Sequence, residues 1–403
     1  MTSPEPAIPA PATERPVATR LPLAVVGGLF LATLALRPPV IAIGPLAPLL
    51  RDDLGVTAAV VGLLTTIPVL CMGLLAPVGP TLAARFGPRL ALAMCLVAMG
   101  VAGIVRALAP TVPLLLAVTV AIGIAVGVAG AIPSMVVADR MSRRRALGTG
   151  AYAGGIVLGS TLAAALAVPL AGNGDWRRSL LVLAVGTFVS LAAWLLLVPA
   201  EPDRGSRPPA VRLPWRQSTG WLLVGVFGLQ SALYYGVIAW LPNVYVERGW
   251  SPADAGALLA VVNGVGLVAT LGVPLLADRV GTRRVQLTIP TVACIVGFAG
   301  VLLLPEAAIL WAVVLGLALG GIFPLVLTLP LDVAHAPAAV GSASAFLLLG
   351  GYVISSAAPI VLGAARDITG TFEASLLLLV AVNIAFAASC LLLSPERLRR
   401  GIG

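Results

Sequence analysis

The chain has 403 residues, 59% hydrophobic and 10% charged, and carries a net charge of +9. Soluble domains carry roughly 25% charged residues, so a soluble core-and-surface protein is excluded. The basic residues are 25 arginines with no lysine, and they sit in short segments between apolar stretches, which argues against nucleic acid as a partner.

Residues 1–20 are Pro-rich (Pro4, Pro6, Pro9, Pro11, Pro16) and carry Glu5 and Glu14. With no basic start and no cleavage site after a short apolar core, they read as a disordered cytoplasmic tail and not as a signal peptide. From Leu21 onward come twelve apolar stretches long enough to cross a bilayer, a length of about 20 residues. They run 21–50, 56–84, 90–109, 112–137, 146–171, 179–199, 218–243, 253–277, 285–304, 307–331, 339–364 and 373–393. Backbone groups in lipid must be satisfied internally, so each is read as a helix, and the longer ones require tilt or a kink. The expected fold is an all-α membrane protein with twelve transmembrane helices in two pseudo-symmetric six-helix bundles. The bundles cover 21–199 and 218–394, joined by a Pro- and Arg-rich linker at 200–217 and followed by a tail at 395–403.

The arginines set the orientation. With the N-terminus inside, the inner segments hold 18 of them, the outer loops hold six (Arg51, Arg106, Arg177, Arg178, Arg248, Arg366), and Arg37 remains. The positive-inside rule then places both termini in the cytoplasm. The runs Arg143-Arg144-Arg145 and Arg399-Arg400 serve topology and contact with anionic lipid heads.

The first span holds an anomaly, Leu36-Arg37-Pro38-Pro39. A charge at that depth costs about 2.5–3.5 kcal/mol on insertion scales. Arg37 lies roughly 20 Å from either end of the span at 1.5 Å per residue, too far for its side chain to reach water. Every Asp and Glu maps to a loop or a helix end, so no acid within the membrane neutralises it. Pro38 and Pro39 break the helix, free the carbonyls near Thr33 to Leu36, and pre-set a new segment whose N-terminus is expected to offer donors beside the guanidinium. A guanidinium there suits a planar acceptor, so a small anion or carboxylate is favoured over a cation. A structural hydrogen bond from Arg37 to the freed carbonyls is the alternative.

Two echoes reveal a duplication. Pro80 to Arg89 matches Pro274 to Arg283 at an offset of 194, sharing Pro, Leu, Ala, Arg, Gly and Arg. Gly123, Gly127 and Asp139 match Gly316, Gly320 and Asp332 at an offset of 193. Internal repeats mark many transporter folds, with the site at the midplane between them. The same offset carries Arg37 to Gln230 in span 7, so Gln230 is expected across the cavity from it. Gln230 and Tyr234 are four residues apart and share a face. With Tyr235 and Trp240 they line a cavity or make helix contacts; Trp240 serves equally as an interfacial anchor. Asn263 and Tyr352 are weaker candidates, and Tyr152 weaker still.

Leu276-Ala277-Asp278-Arg279-Val280-Gly281-Thr282-Arg283-Arg284 resembles the signature loop of the major facilitator superfamily. The Leu82 to Arg89 copy has Ala84 where that family often has Asp. The resemblance implies that Arg85, Arg89, Asp139, Asp278, Arg279, Arg283 and Asp332 help close the cytoplasmic side. A narrower resemblance joins the chain to the cyanate porter group, which includes nitroimidazole transporters. Its marks are Leu36-Arg37-Pro38-Pro39, Gly154-Gly155, Asp175-Trp176-Arg177, Gly228-Leu229-Gln230-Ser231, Tyr234-Tyr235, Ala239-Trp240-Leu241-Pro242, Gly350-Gly351-Tyr352 and Pro359.

Cys71, Cys95, Cys294 and Cys390 fall inside spans without paired spacing and read as small buried residues, so neither a disulfide nor a metal is expected. His335 reads as a solvated loop side chain. No nucleotide-binding Gly-Lys-Ser/Thr loop is present, and an enzyme would need clustered His, Asp, Glu or Cys at one depth. The expected function is secondary transport of a small anionic or polar solute across the cytoplasmic membrane, with Arg37 as its ligand and no cofactor. The alternatives are an exporter of drug-like or nitroheterocyclic compounds on the same fold, and a receptor that does not transport. The expected partners are the solute and the bilayer, and a monomer is expected.

Overall fold

The computed structural model describes residues 21–141, 145–200, 213–277, 282–333 and 337–393. The N-terminal tail, most of the linker, the C-terminal tail, Asp278, Arg279 and His335 lie outside the described residues. Among those described, twelve helical spans are long and apolar enough to cross a membrane, and there is no strand.

The first span is built from three pieces: α1 (Leu21–Leu34), α2 (Pro38–Ile41) and α3 (Ile43–Leu54). The second is α4 (Ala58–Leu75) continued by α5 (Val78–Phe86), and the third is α6 (Pro88–Ala107). The fourth is α7 (Val112–Ala129) with α8 (Ile132–Arg140), followed by α9 (Arg145–Ala171) and α10 (Trp176–Leu197). The second half holds α11 (Ser218–Glu247), α12 (Pro252–Ala277), α13 (Arg283–Leu303), α14 (Ala308–Leu327) with α15 (Leu329–Val333), α16 (Pro337–Thr369) and α17 (Glu373–Leu391).

Local chemistry sets the ends of these helices. Gly55 closes α3 in the left-handed region at φ 62°, a conformation that favours glycine. Thr57 caps α4 through the Val60 amide, and Asp175 caps α10 through the amides of Arg177 and Arg178. Pro88 opens α6 where its missing N–H has no helical partner to lose.

In the first half, α1 packs on α9 and α10, α6 on α7 and α10, and α4 on α7. In the second, α11 packs on α16 and α17, α12 on α14, and α13 on α14 and α17. The halves meet where α4 packs on α16, α9 on α12, and α3 on both α11 and α12.

This seam is made of backbone. A Cβ at Gly62 would come within 2.7 Å of the Pro359 carbonyl oxygen, at Gly73 within 2.8 Å of that of Leu349, and at Gly256 within 2.9 Å of that of Ala164. A Cβ at Gly44 would collide with the Ile238 carbonyl, and Asn243 donates across to the Gly44 oxygen at 3.0 Å. At the end remote from the termini, the Asp367 carboxylate of α16 accepts the Ala58 and Ala59 amides of α4 at 2.9 and 2.8 Å. Toward the terminal end, glycines of three of these helices face open space. A Cβ at Gly150 of α9, Gly272 of α12 or Gly341 of α16 would meet nothing within 4 Å. An apolar cleft of about 640 Å³ opens there between α1 and α9, lined by residues including Val26, Phe30, Leu31, Leu147 and Gly150. The described contacts between the halves therefore include a tight junction at the remote end, and the cleft at the terminal end lies between two helices of the first half.

Candidate functional site

The first span is interrupted after Leu34, and α2 begins at Pro38 with Arg37 as its N-cap. The new segment does not offer free donors, however. The Arg37 carbonyl accepts the amides of Val40 and Ile41 at 3.0 and 3.1 Å, and the Pro38 carbonyl accepts the Ala42 amide at 3.1 Å. The two prolines have no N–H, so the first amides of the segment are spent within it. The amides of Val40, Ile41 and Ala42 are therefore not free for a ligand, and the Arg37 side chain is the donor that reaches the seam, which corrects the expectation of helix-terminus donors.

The Arg37 guanidinium crosses the seam and is half-buried. Its Nη1 donates to the Tyr235 hydroxyl at 2.9 Å, and the Met72 sulfur lies 4.0 Å from the same nitrogen. The Tyr235 hydroxyl in turn lies 3.7 Å from that sulfur. The rings continue as a wall: Tyr234 to Tyr235 at 5.4 Å between centroids, Tyr235 to Tyr352 at 6.3 Å, and Tyr352 to Phe227 at 5.1 Å. None of the ion pairs among the described residues includes Arg37, so the charge is held by a neutral phenol and a thioether.

Tyr235 takes the position expected of Gln230. Gln230 is fully buried and accepts from Ser231 at 3.3 Å, one helical turn away from the contact with Arg37. Tyr234 donates to Asn263 of α12 at 3.1 Å. Beside the Arg37–Tyr235 contact, α11 is thus joined to α12 by a polar pair. Trp240 is not part of it: its indole donates to the Pro359 carbonyl at 2.8 Å and stacks on Phe372 at 5.2 Å, in the packed remote end. Tyr152 meets α1 through its backbone, where its carbonyl accepts from Thr33.

Arg106 corrects the loop assignment. It lies in the last turn of α6, is 2% exposed, and donates to the Pro39 carbonyl at 2.9 Å. Span 3 as read from the sequence already contained this residue, and its charge alone argued for the loop. Met72 was likewise missed, because a methionine in an apolar helix carries no mark of position.

Among the expected gate residues, Arg283 forms a two-point pair with Asp332, at 2.7 Å from Nε and 3.2 Å from Nη2. Both belong to the second half, so the pair ties α13 to α15 within one bundle. The equivalent Arg89 instead donates to the carbonyls of Val198 and Leu195 at the end of α10, at 2.5 and 2.7 Å. Arg85 lies over the Phe86 ring at 5.2 Å. Arg140, beside Asp139, donates to the Pro199 carbonyl at 2.8 Å.

Residues 29–359 match the Major Facilitator Superfamily. The chain is 34% identical over 348 residues to the cyanate transport protein CynX of Escherichia coli K12, covering 85% of this chain and 90% of that protein. It is 28% identical over 374 residues to the 2-nitroimidazole transporter of the same organism, covering 91% and 94%. Its fold superposes on a point mutant of the nucleoside transporter NupG with a TM-score of 0.78 at 14% identity, covering 92% of this chain and 99% of that one.

Proposed function

The chain belongs to the major facilitator superfamily, and we propose that it carries a small anionic or polar solute across the cytoplasmic membrane with Arg37 as its principal ligand. Secondary transport of small solutes follows from the family and the fold; the substrate class follows from the site. The observation that supports it most is a half-buried guanidinium at the seam between the halves, bonded to Tyr235 and with no carboxylate partner among the ion pairs described. A buried charge without a counter-ion is costly, and an arriving anion relieves that cost. The guanidinium fork suits a planar acceptor, and the phenol rings of Tyr234, Tyr235 and Tyr352 offer flat walls.

With both termini in the cytoplasm, the remote end, where Asp367 binds the first turn of α4, is the outer seal. Transport then rocks the halves about the level of Arg37. Uptake of cyanate, nitrate and formate into proteoliposomes tests the reading with wild type, Arg37→Lys and Arg37→Ala. Arg37→Ala is expected to lose at least 90% of the rate for every anion carried. Full transport by that variant would overturn the assignment.

The aromatic wall favours one second reading, export of nitroheterocyclic compounds, since flat neutral rings stack on tyrosine without a charge. Its signature is transport of 2-nitroimidazole that survives the loss of Arg37.

A further inference from the structure

Arg106 is a second guanidinium inside the spans, and transport as described above gives it no part. It is 2% exposed, and none of the ion pairs among the described residues includes it. Its Nη1 donates to the Pro39 carbonyl at 2.9 Å, while its Nε is buried without a hydrogen-bond partner. An apolar side chain would occupy this place without the desolvation cost of a buried charge. What the charge secures in return is the Pro39 carbonyl.

That carbonyl is well chosen. In an unbroken helix it would accept the amide four residues on, but the helix is interrupted at Ala42, between α2 and α3. Arg106 supplies a donor from the neighbouring α6 instead. Two residues before Pro39 stands Arg37. Both intervening prolines have φ locked near −65°, so few soft torsions separate the tethered carbonyl from the Arg37 Cα. The Arg37 carbonyl is itself bonded to the Val40 and Ile41 amides, which makes residues 37–42 a stiff unit.

We propose that Arg106 is a positioning residue: by holding the Pro39 carbonyl it fixes the broken segment and so aims the Arg37 guanidinium at the seam. The proposal rests on the reading of Arg37 as ligand only for its effect on transport, not for its effect on the segment.

The test uses the full chain with Arg106→Met, Arg106→Lys, Arg37→Ala and the double variant Arg37→Ala/Arg106→Met. Amide hydrogen exchange and cyanate uptake are measured on each. Arg106→Met is expected to raise exchange at Val40, Ile41 and Ala42 at least tenfold, with α16 and α17 unchanged. It is expected to raise the apparent KM for cyanate at least tenfold while Vmax stays within a factor of two, and Arg106→Lys is expected to restore most of both. In the Arg37→Ala background, Arg106→Met is expected to cost nothing further in uptake. Unchanged exchange at residues 40–42 overturns the proposal. So does a transport loss from Arg106→Met that persists undiminished without Arg37. An Arg37→Ala variant that transports normally would defeat the ligand reading alone, and the exchange data would still decide what Arg106 holds.

Discussion

Replacing Asp367 with alanine removes the carboxylate that bridges the halves at their closed end. The carboxylate accepts two first-turn amides of α4, at 2.9 and 2.8 Å, from a side chain 21% exposed. Hydrogen bonds to a charged group are worth about 1.5–3 kcal/mol when buried, and a carboxylate at a helix N-terminus adds about 0.3–1 kcal/mol. Water competes at this exposure, and Thr57 already caps α4 through the Val60 amide. We take about 2 kcal/mol for the whole contact, at the low end of the buried range, which is roughly a 30-fold shift toward states parted at this end. Spin labels on Asp52→Cys and Thr371→Cys, both exposed near the contact, report the separation by electron–electron distance measurement. The alanine variant is expected to populate a longer distance that wild type lacks. Asp367→Asn, which retains one acceptor oxygen without the charge, is expected to fall between the two. Identical distance distributions in all three proteins would refute the claim that this carboxylate holds the halves together.

Gly44→Ala is expected to lower the melting temperature in detergent, because its Cβ collides with the Ile238 carbonyl and overpacking costs about 1–3 kcal/mol. Gly150→Ala, built into open space, serves as the control and is expected to melt as wild type does. For Arg283 and Asp332, 27% and 25% exposed, a double-mutant cycle is expected to give a coupling of about 1 kcal/mol or less that shrinks with added salt. A coupling insensitive to salt would contradict a partly solvated pair.

The twelve spans were legible because lipid demands length and apolarity, and both are properties of composition. Arg37 and its prolines stand out in the sequence because a charge and two prolines in such a stretch have few innocent explanations. The partner of Arg37 was not legible. The repeat offset points to Gln230, but an offset relates equivalent positions and says nothing of how far each helix is rotated. The helix α11 is buried on most of its surface, so no polar stripe sets its phase, and the residue facing Arg37 proved to be Tyr235. Trp240 illustrates the same limit: its sequence suits a cavity wall or an interfacial anchor equally, and the Pro359 carbonyl that claims it lies 119 residues away in the chain. Arg106 shows a different one, since a long side chain in a last helical turn can point outward to water or fold back to a carbonyl.

The closed end of the molecule is sealed by glycines set against carbonyls, where Gly62 and Gly256 bring backbone against backbone. Glycine has no side-chain rotamers to freeze, whereas burying a long side chain forfeits up to about 2 kcal/mol of rotamer freedom. Parting these surfaces therefore releases little conformational disorder, and rejoining them demands little. A seal with so small an entropic stake in either direction suits a carrier, whose two faces must trade places many times without becoming trapped in one.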